Sequence, residues 1–138
     1  MIETGLQWLL SRNATIAALV GTRVYYGEAQ QGAALPYVTI EQLSADHMLA
    51  LDGTSGRGDL TAKDFDITCY AKTPIDAKRV AKTVKYFLSD YSGTAHIDDI
   101  EAVHLNDEQD GYSAPTDGSS IGRYWTNLEF KIQHTPGD

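Results

Sequence analysis

Two histidines and an aspartate occupy even-numbered positions of a segment with β-strand character, residues 95–105. His96, Asp98 and His104 would share one face of a regular strand, and imidazole and carboxylate groups are ligands for divalent metals. Their spacing matches no standard metal-ligand signature. The pattern therefore favours an exposed polar strand face over a metal site.

An acidic segment further along the chain partly resembles a calcium-binding loop. Asn106, Glu108 and Asp110 alternate, and Asp117 stands at the twelfth position of such a loop. The first ligand is an amide, the last is an aspartate where a bidentate glutamate is expected, and Pro115 interrupts the loop. We expect a solvated acidic loop over residues 106–120.

The sequence contains one cysteine, Cys69, in the middle of a predicted strand and on its apolar face. A free thiol there is typical of a small core residue, because a nucleophile needs a lowered pKa and a neighbouring base. No serine stands in a nucleophile elbow, and no glycine-rich segment carries the lysine of a phosphate-binding loop. We expect no catalytic residue, cofactor or metal, with a small metal-dependent hydrolase as the enzymatic alternative.

Basic residues cluster in an otherwise acidic chain: 11 lysines and arginines give, with 19 acids, a net charge of −8. Five of the cations lie between positions 72 and 85 of a predicted helix. They form either a solvated helix face or a surface that meets acidic loops of a neighbouring subunit, residues 98–110. The predicted interface residues are Lys78, Arg79, Lys82, Lys85, Asp52, Arg57, Asp59, Asp107, Glu108 and Asp110.

Length and charge restrict the class of protein. A chain of 138 residues fits a single domain, residues 1–138. The negative charge opposes binding to bare nucleic acid and to anionic membranes. We find neither a membrane-spanning apolar run nor a signal-peptide pattern, and we expect the protein in the cytoplasm.

The elements that position these residues follow from periodicity and capping signals. Residues 2–20 have helical spacing in two pieces, with Asn13 as an N-cap and Gly21 as a stop. Residues 73–91 form the clearest helix, with Thr73 as N-cap and Pro74 at the first position, ending at Gly93. Strands are predicted at 23–26, 37–47, 60–71, 95–105 and 121–134, with a bulge in the fourth. The fold class is therefore α+β: a mostly antiparallel sheet of about five strands with two helices packed on one face.

Four segments resemble the tail-completion (tail-terminator) proteins of long-tailed bacteriophages and prophages. They are residues 16–25 (IAALVGTRVY), 35–42 (LPYVTIEQ), 65–73 (FDITCYAKT) and 123–132 (RYWTNLEFKI). The first two, at this spacing, are the most specific part of the resemblance.

The resemblance implies a structural subunit of a virion, without enzymatic activity. Such a subunit would form a homo-oligomer, a hexameric ring, that caps the tail tube and joins it to the head-connector protein. A neck, connector or tail-tube protein of the same virion is the alternative. The expected location is the tail or neck of the virion, and the host cytoplasm before assembly.

Overall fold

The computed structural model of the protein describes residues 2–27, 34–47, 61–89, 91, 93–95, 98–113 and 123–135. Three helices are described: α1 (Ile2–Arg12), α2 (Ala14–Val20) and α3 (Pro74–Leu88). Six strands are described: β1 (Val24–Tyr26), β2 (Tyr37–His47), β3 (Thr61–Ala71), β4 (Gly93–Ala95), β5 (Asp98–Ser113) and β6 (Arg123–Thr135).

The strands form one sheet in the order β1-β2-β3-β6-β5-β4. Only β1 and β2 pair in parallel, and the other neighbours are antiparallel. The predicted α+β class with a mostly antiparallel sheet is confirmed. The described part adds one short strand, β4, to the five predicted strands. It confirms the two predicted helical pieces of residues 2–20, which Asn13 separates, so three helices and not two cover the sheet.

Local capping chemistry places the helix starts where the sequence predicts them. The side chain of Asn13 accepts a hydrogen bond from the backbone N–H of Ile16 at 3.0 Å, which caps α2. The hydroxyl of Thr73 accepts one from the N–H of Asp76 at 3.1 Å, and a proline begins α3. The predicted end of α3 was wrong: the helix stops at Leu88, with Ser89 as its C-cap, and Gly93 begins β4.

All three helices lie on one face of the sheet. The alternating residues Phe65, Ile67 and Cys69 of β3 pair with Phe130, Leu128 and Thr126 of β6 and point to this face. The apolar stripe of α3 covers them. Burial of each leucine or phenylalanine side chain in this layer stabilises the fold by about 1.5–3 kcal/mol, because apolar surface is removed from water. The stripe consists of Ala77, Val80, Ala81, Val84 and Leu88. Helix α1 contacts β1 and β2 near one edge of the sheet and β4 at the other, so it lies across the sheet.

Strand β5 corrects the prediction of a solvated acidic loop over residues 106–120. It runs from Asp98 to Ser113, so residues 106–113 are strand and not loop. The long partner β6 supplies a ladder along this segment, and that pairing overrides its turn-like composition. The predicted bulge is confirmed by a register shift between Ile100 and Ala102, and a second shift lies between Leu105 and Asp107. Residues 114–120 of the predicted loop lie outside the described residues.

Candidate partner-binding surfaces

The basic residues of α3 occupy the sides of the helix that its apolar stripe leaves free. Lys78, Arg79 and Lys82 are exposed, and Lys85 is partly buried. Lys72, just before the N-cap, is exposed as well. The cations of the helix form two sets with different surroundings: Lys78 and Lys85 face β5, and Arg79 and Lys82 face solvent.

One set is neutralised within the chain, in what we call the lysine–carboxylate network: Lys78, Lys85, Glu108 and Asp110. The Nζ of Lys78 lies 2.8 Å from Glu108 Oε2 and 2.9 Å from Asp110 Oδ2. The Nζ of Lys85 lies 3.0 Å from Glu108 Oε1. The hydroxyl of Thr126 donates a hydrogen bond of 2.8 Å to Asp110 Oδ1. The network therefore ties α3 to the second half of β5.

The network shifts the pKa of Glu108, Asp110 and Lys78. The hydrogen bond from Lys78, followed by that from Lys85, holds the pKa of Glu108 below its usual value. The hydrogen bond from Lys78 lowers the pKa of Asp110 in the same way. In turn, the hydrogen bond to Glu108 raises the pKa of Lys78. Each of these three shifts favours the charged form of the group.

The network changes how the predicted interface is interpreted. We predicted that lysines of α3 would meet carboxylates of residues 98–110 in a neighbouring subunit. In the structure the same two groups of residues meet within one chain, since the second bulge of β5 places Glu108 and Asp110 on the helix-covered face, opposite Leu128 and Thr126. Their role between subunits stays a prediction. Asp52, Arg57 and Asp59 lie outside the described residues.

The second set of cations faces solvent. Arg79 has an ion pair with Asp76 of the same helix at 3.2 Å, and Lys82 lies 5.7 Å from the ring centre of Tyr86. Ile75 and Tyr86 are 70% and 71% exposed, the highest values among the large apolar side chains that the structure describes. The spacings of four, three and four residues place Ile75, Arg79, Lys82 and Tyr86 along one side of α3. We call these four residues the exposed stripe.

The opposite face of the sheet carries a second feature that the sequence analysis missed. Glu41 of β2 is paired with Asp66 of β3, Asp66 with Glu129 of β6, and Glu129 with Asp107 of β5. Four carboxylates therefore form a line across four adjacent strands, which we call the acidic row. No described helix covers this face, and among the described residues no ion pair involves a member of the row.

Like charges at directly paired positions destabilise a sheet. Partial burial, with a further contribution from the carboxylate of Glu41, raises the pKa of Asp66. The side chain of Asp107 accepts hydrogen bonds only from the backbone N–H of Glu108 and the amide of Gln109, at 2.9 Å each, within the described part of the chain. The acidic row therefore lowers the stability of the isolated subunit. The signal for it is cross-strand register, and the sequence alone does not contain that register.

Aromatic residues of β1, β2 and β3 occupy the same sheet face, beside the first residue of β2 and the end of β3. The rings of Tyr37 and Tyr70 stack at 4.8 Å, and Tyr25 meets Tyr37 edge to face at 5.9 Å. The guanidinium of Arg123 donates a hydrogen bond of 2.7 Å to the hydroxyl of Tyr37. This cluster buries Tyr37 without a helix and stiffens this end of the sheet.

The groups that an enzyme would need do not converge in the part of the chain that the structure describes. No group of three or more His, Cys, Asp or Glu side chains could hold a metal ion there. Cys69 is fully buried, and burial raises its pKa, which opposes thiolate formation. Of the predicted metal ligands, His104 is exposed on β5, whereas His96 and the side chain of Asp98 lie outside what is described.

The described helices include none that is long and apolar enough to cross a membrane. A cleft of about 280 Å³ lies between α2 and the start of α3, lined by Leu19, Pro36 and Arg79 among others. A second, of about 330 Å³, lies between the start of α3 and the ends of β5 and β6. Neither brings a nucleophile together with a base.

Comparisons with curated proteins and with solved structures gave different results. No curated protein matches the sequence. Among solved structures, a chain described as "Virion of native gene transfer agent (GTA) particle" has a TM-score of 0.63 at 21% sequence identity, with 96% of this chain and 92% of that chain covered. At this identity the likeness shows a shared fold.

A family described as "Tail completion protein gp17" matches residues 4–121. That range includes the three N-terminal segments on which the resemblance to tail-completion proteins was based, at 16–25, 35–42 and 65–73. Because the match covers most of the sequence, the chain belongs to the gp17 family of tail completion proteins, structural components of bacteriophage tails.

Proposed function

We propose that this protein is a tail terminator, a subunit of a ring that caps the finished tail tube and joins it to the head connector. The observation that carries this proposal is the family match over residues 4–121. The family assigns the chain to the tail, and the capping and joining steps are our extension of that assignment.

The two faces of the domain support a role in a ring. A ring of identical subunits needs two different contact surfaces on each copy, one for each neighbour. Here the helix layer presents solvent-facing cations on α3, and the uncovered sheet face presents the acidic row. A subunit with two unlike surfaces on opposite sides can contact two neighbours at once.

The test combines oligomeric state with an assembly assay. Light scattering and electron microscopy of the purified protein, alone and with tail tubes, would show a ring bound at one end of each tube. Tails assembled without the protein should fail to join heads, and adding it should restore joining. A protein that stays monomeric and does not bind tail tubes would contradict the proposal.

Three alternatives predict different results. A tail-tube subunit would polymerise into long tubes by itself, and a neck or connector protein would bind the head side and leave free tube ends uncapped. A small metal-dependent hydrolase would bind one equivalent of metal and lose turnover when a single ligand is replaced. The described residues offer extended contact surfaces and no convergent catalytic groups, which favours an assembly protein over the hydrolase. The family match is the reason that we favour the terminator over a tube or neck protein.

A further inference from the structure

We propose that the exposed stripe of α3, Ile75, Arg79, Lys82 and Tyr86, docks on the acidic row of a second copy of this chain. The contact deepens the ring proposed above and rests on it. It assigns the subunit interface to two surfaces that the rest of the described chain leaves uncovered.

The first argument is the composition of the exposed stripe. Ile75 and Tyr86 are 70% and 71% exposed, whereas the other side of α3 is fully engaged with the sheet. Large apolar residues that flank two cations on one helix face are typical of a surface that is covered in an assembly. Lys78 and Lys85 bind carboxylates of β5. Arg79 pairs with Asp76 of its own helix and Lys82 lies over the ring of Tyr86, and both cations stay exposed to a neighbour.

The second argument is charge complementarity. The chain has a net charge of −8, so two copies repel each other unless their contact joins a basic patch to an acidic one. Arg79 and Lys82 supply the cations, and the acidic row supplies four carboxylates that no described cation neutralises. A neighbour's cations would relieve the like-charge repulsion along the row.

The third argument is dimensional. Three residues of an α-helix rise by about 4.5 Å, which separates Arg79 from Lys82 along the axis. Neighbouring strands lie about 4.8 Å apart, which separates successive carboxylates of the row. A helix laid across the strands would therefore place its two cations over acids of adjacent strands. The stripe spans about 16 Å between Ile75 and Tyr86, close to the roughly 14 Å that three strand spacings give.

The fourth argument is direction. Helix α3 lies on one face of the sheet, and the acidic row lies on the other. The helix of one copy can reach the row of the next only in a head-to-tail arrangement. Such contacts generate a ring when the rotation closes.

The test is a charge swap at the two surfaces. Lys82→Glu reverses one of the two cations of the exposed stripe, and Glu129→Lys reverses one of the four acids of the acidic row. We expect each variant alone to weaken the subunit contact at least about tenfold, because like charges then face each other. In an equimolar mixture, the altered stripe of the Lys82→Glu variant can meet the altered row of the Glu129→Lys variant. The native stripe of the Glu129→Lys variant can meet the native row of the Lys82→Glu variant. Both contacts then join opposite charges. The mixture should therefore form rings in which the two variants alternate.

Sedimentation or light scattering would report the result, with Arg12→Glu as the control. Arg12 is an exposed cation at the end of α1, so its reversal changes the net charge equally but leaves the stripe intact, and its rings should persist. If the wild type forms rings and Lys82→Glu forms them equally well, the contact proposed here is wrong while the ring stands. If the wild type forms no ring, even with tail tubes present, the proposed function itself fails. If each variant is disrupted but the mixture stays disrupted, the pairing of these two surfaces is refuted.

Discussion

Replacing Glu108 with glutamine would test whether the lysine–carboxylate network joins α3 to the sheet. The change keeps the shape of the side chain and removes the charge that faces Lys78 at 2.8 Å and Lys85 at 3.0 Å. An exposed ion pair contributes about 0.2–1 kcal/mol, and solvent screens Lys78, whose side chain is 50% exposed. We therefore expect Glu108→Gln to lower the free energy of unfolding by about 1 kcal/mol at pH 7. The melting temperature would fall by about 3–5 °C.

The pH dependence gives this prediction a definite sign. The two lysines lower the pKa of folded Glu108 from its ordinary value of 4.5. A carboxyl group with a lowered folded pKa contributes stability that is present above its unfolded pKa and lost as the pH falls through the folded pKa. The difference between wild type and variant should therefore be complete at pH 7 and decrease steadily below about pH 4. It should also shrink in 1 M salt, where the screening length is about 3 Å.

Urea unfolding at pH 7, 5 and 3, followed by tryptophan fluorescence at one fixed protein concentration, would measure these differences. Asp107→Asn is the matched control, because it makes the same chemical change one residue away. Neutralising Asp107 removes a like charge opposite Glu129, and asparagine keeps an acceptor for the N–H of Glu108 but loses the one for Gln109. These opposed effects should leave stability nearly unchanged. A Glu108→Gln variant as stable as the wild type at pH 7, or a difference that persists undiminished at low pH, would refute the reasoning.

Two further substitutions test the uncovered sheet face. Asp66→Asn should stabilise the dilute subunit by about 0.5 kcal/mol at pH 7, since it removes a like charge from the acidic row. Burial and Glu41 raise the pKa of Asp66, so this gain should disappear as the pH falls through that raised pKa, and an unchanged gain at pH 3 would contradict it. Gly111→Ala should displace the indole of Trp125, because a Cβ at Gly111 would lie 2.1 Å from its ring. We expect a loss of about 1–3 kcal/mol and altered tryptophan fluorescence, and unchanged emission and stability would show that the ring does not pack there.

Local signals in the sequence were sufficient for most helix boundaries and for the central strands. The caps at Asn13 and Thr73 depend on a side chain and a backbone N–H three residues apart, so they are encoded locally. The alternation of β3 and β6 predicts which side chains enter the core, because a strand has a period of two. The basic face of α3 follows from helical spacing in the same way.

Tertiary pairing decided the features on which the proposals depend. Residues 106–113 have the composition of a loop, and they form a strand because β6 offers a partner along their length. Two bulges in β5 then decide which of its acids face α3 and which face outward, since each one-residue shift exchanges the two faces. Glu108 consequently meets the lysines of α3, and Asp107 joins the acidic row. The sequence by itself determined the charges and the amphipathic elements, but residues far apart in the chain become neighbours only through strand register, which no local pattern contains.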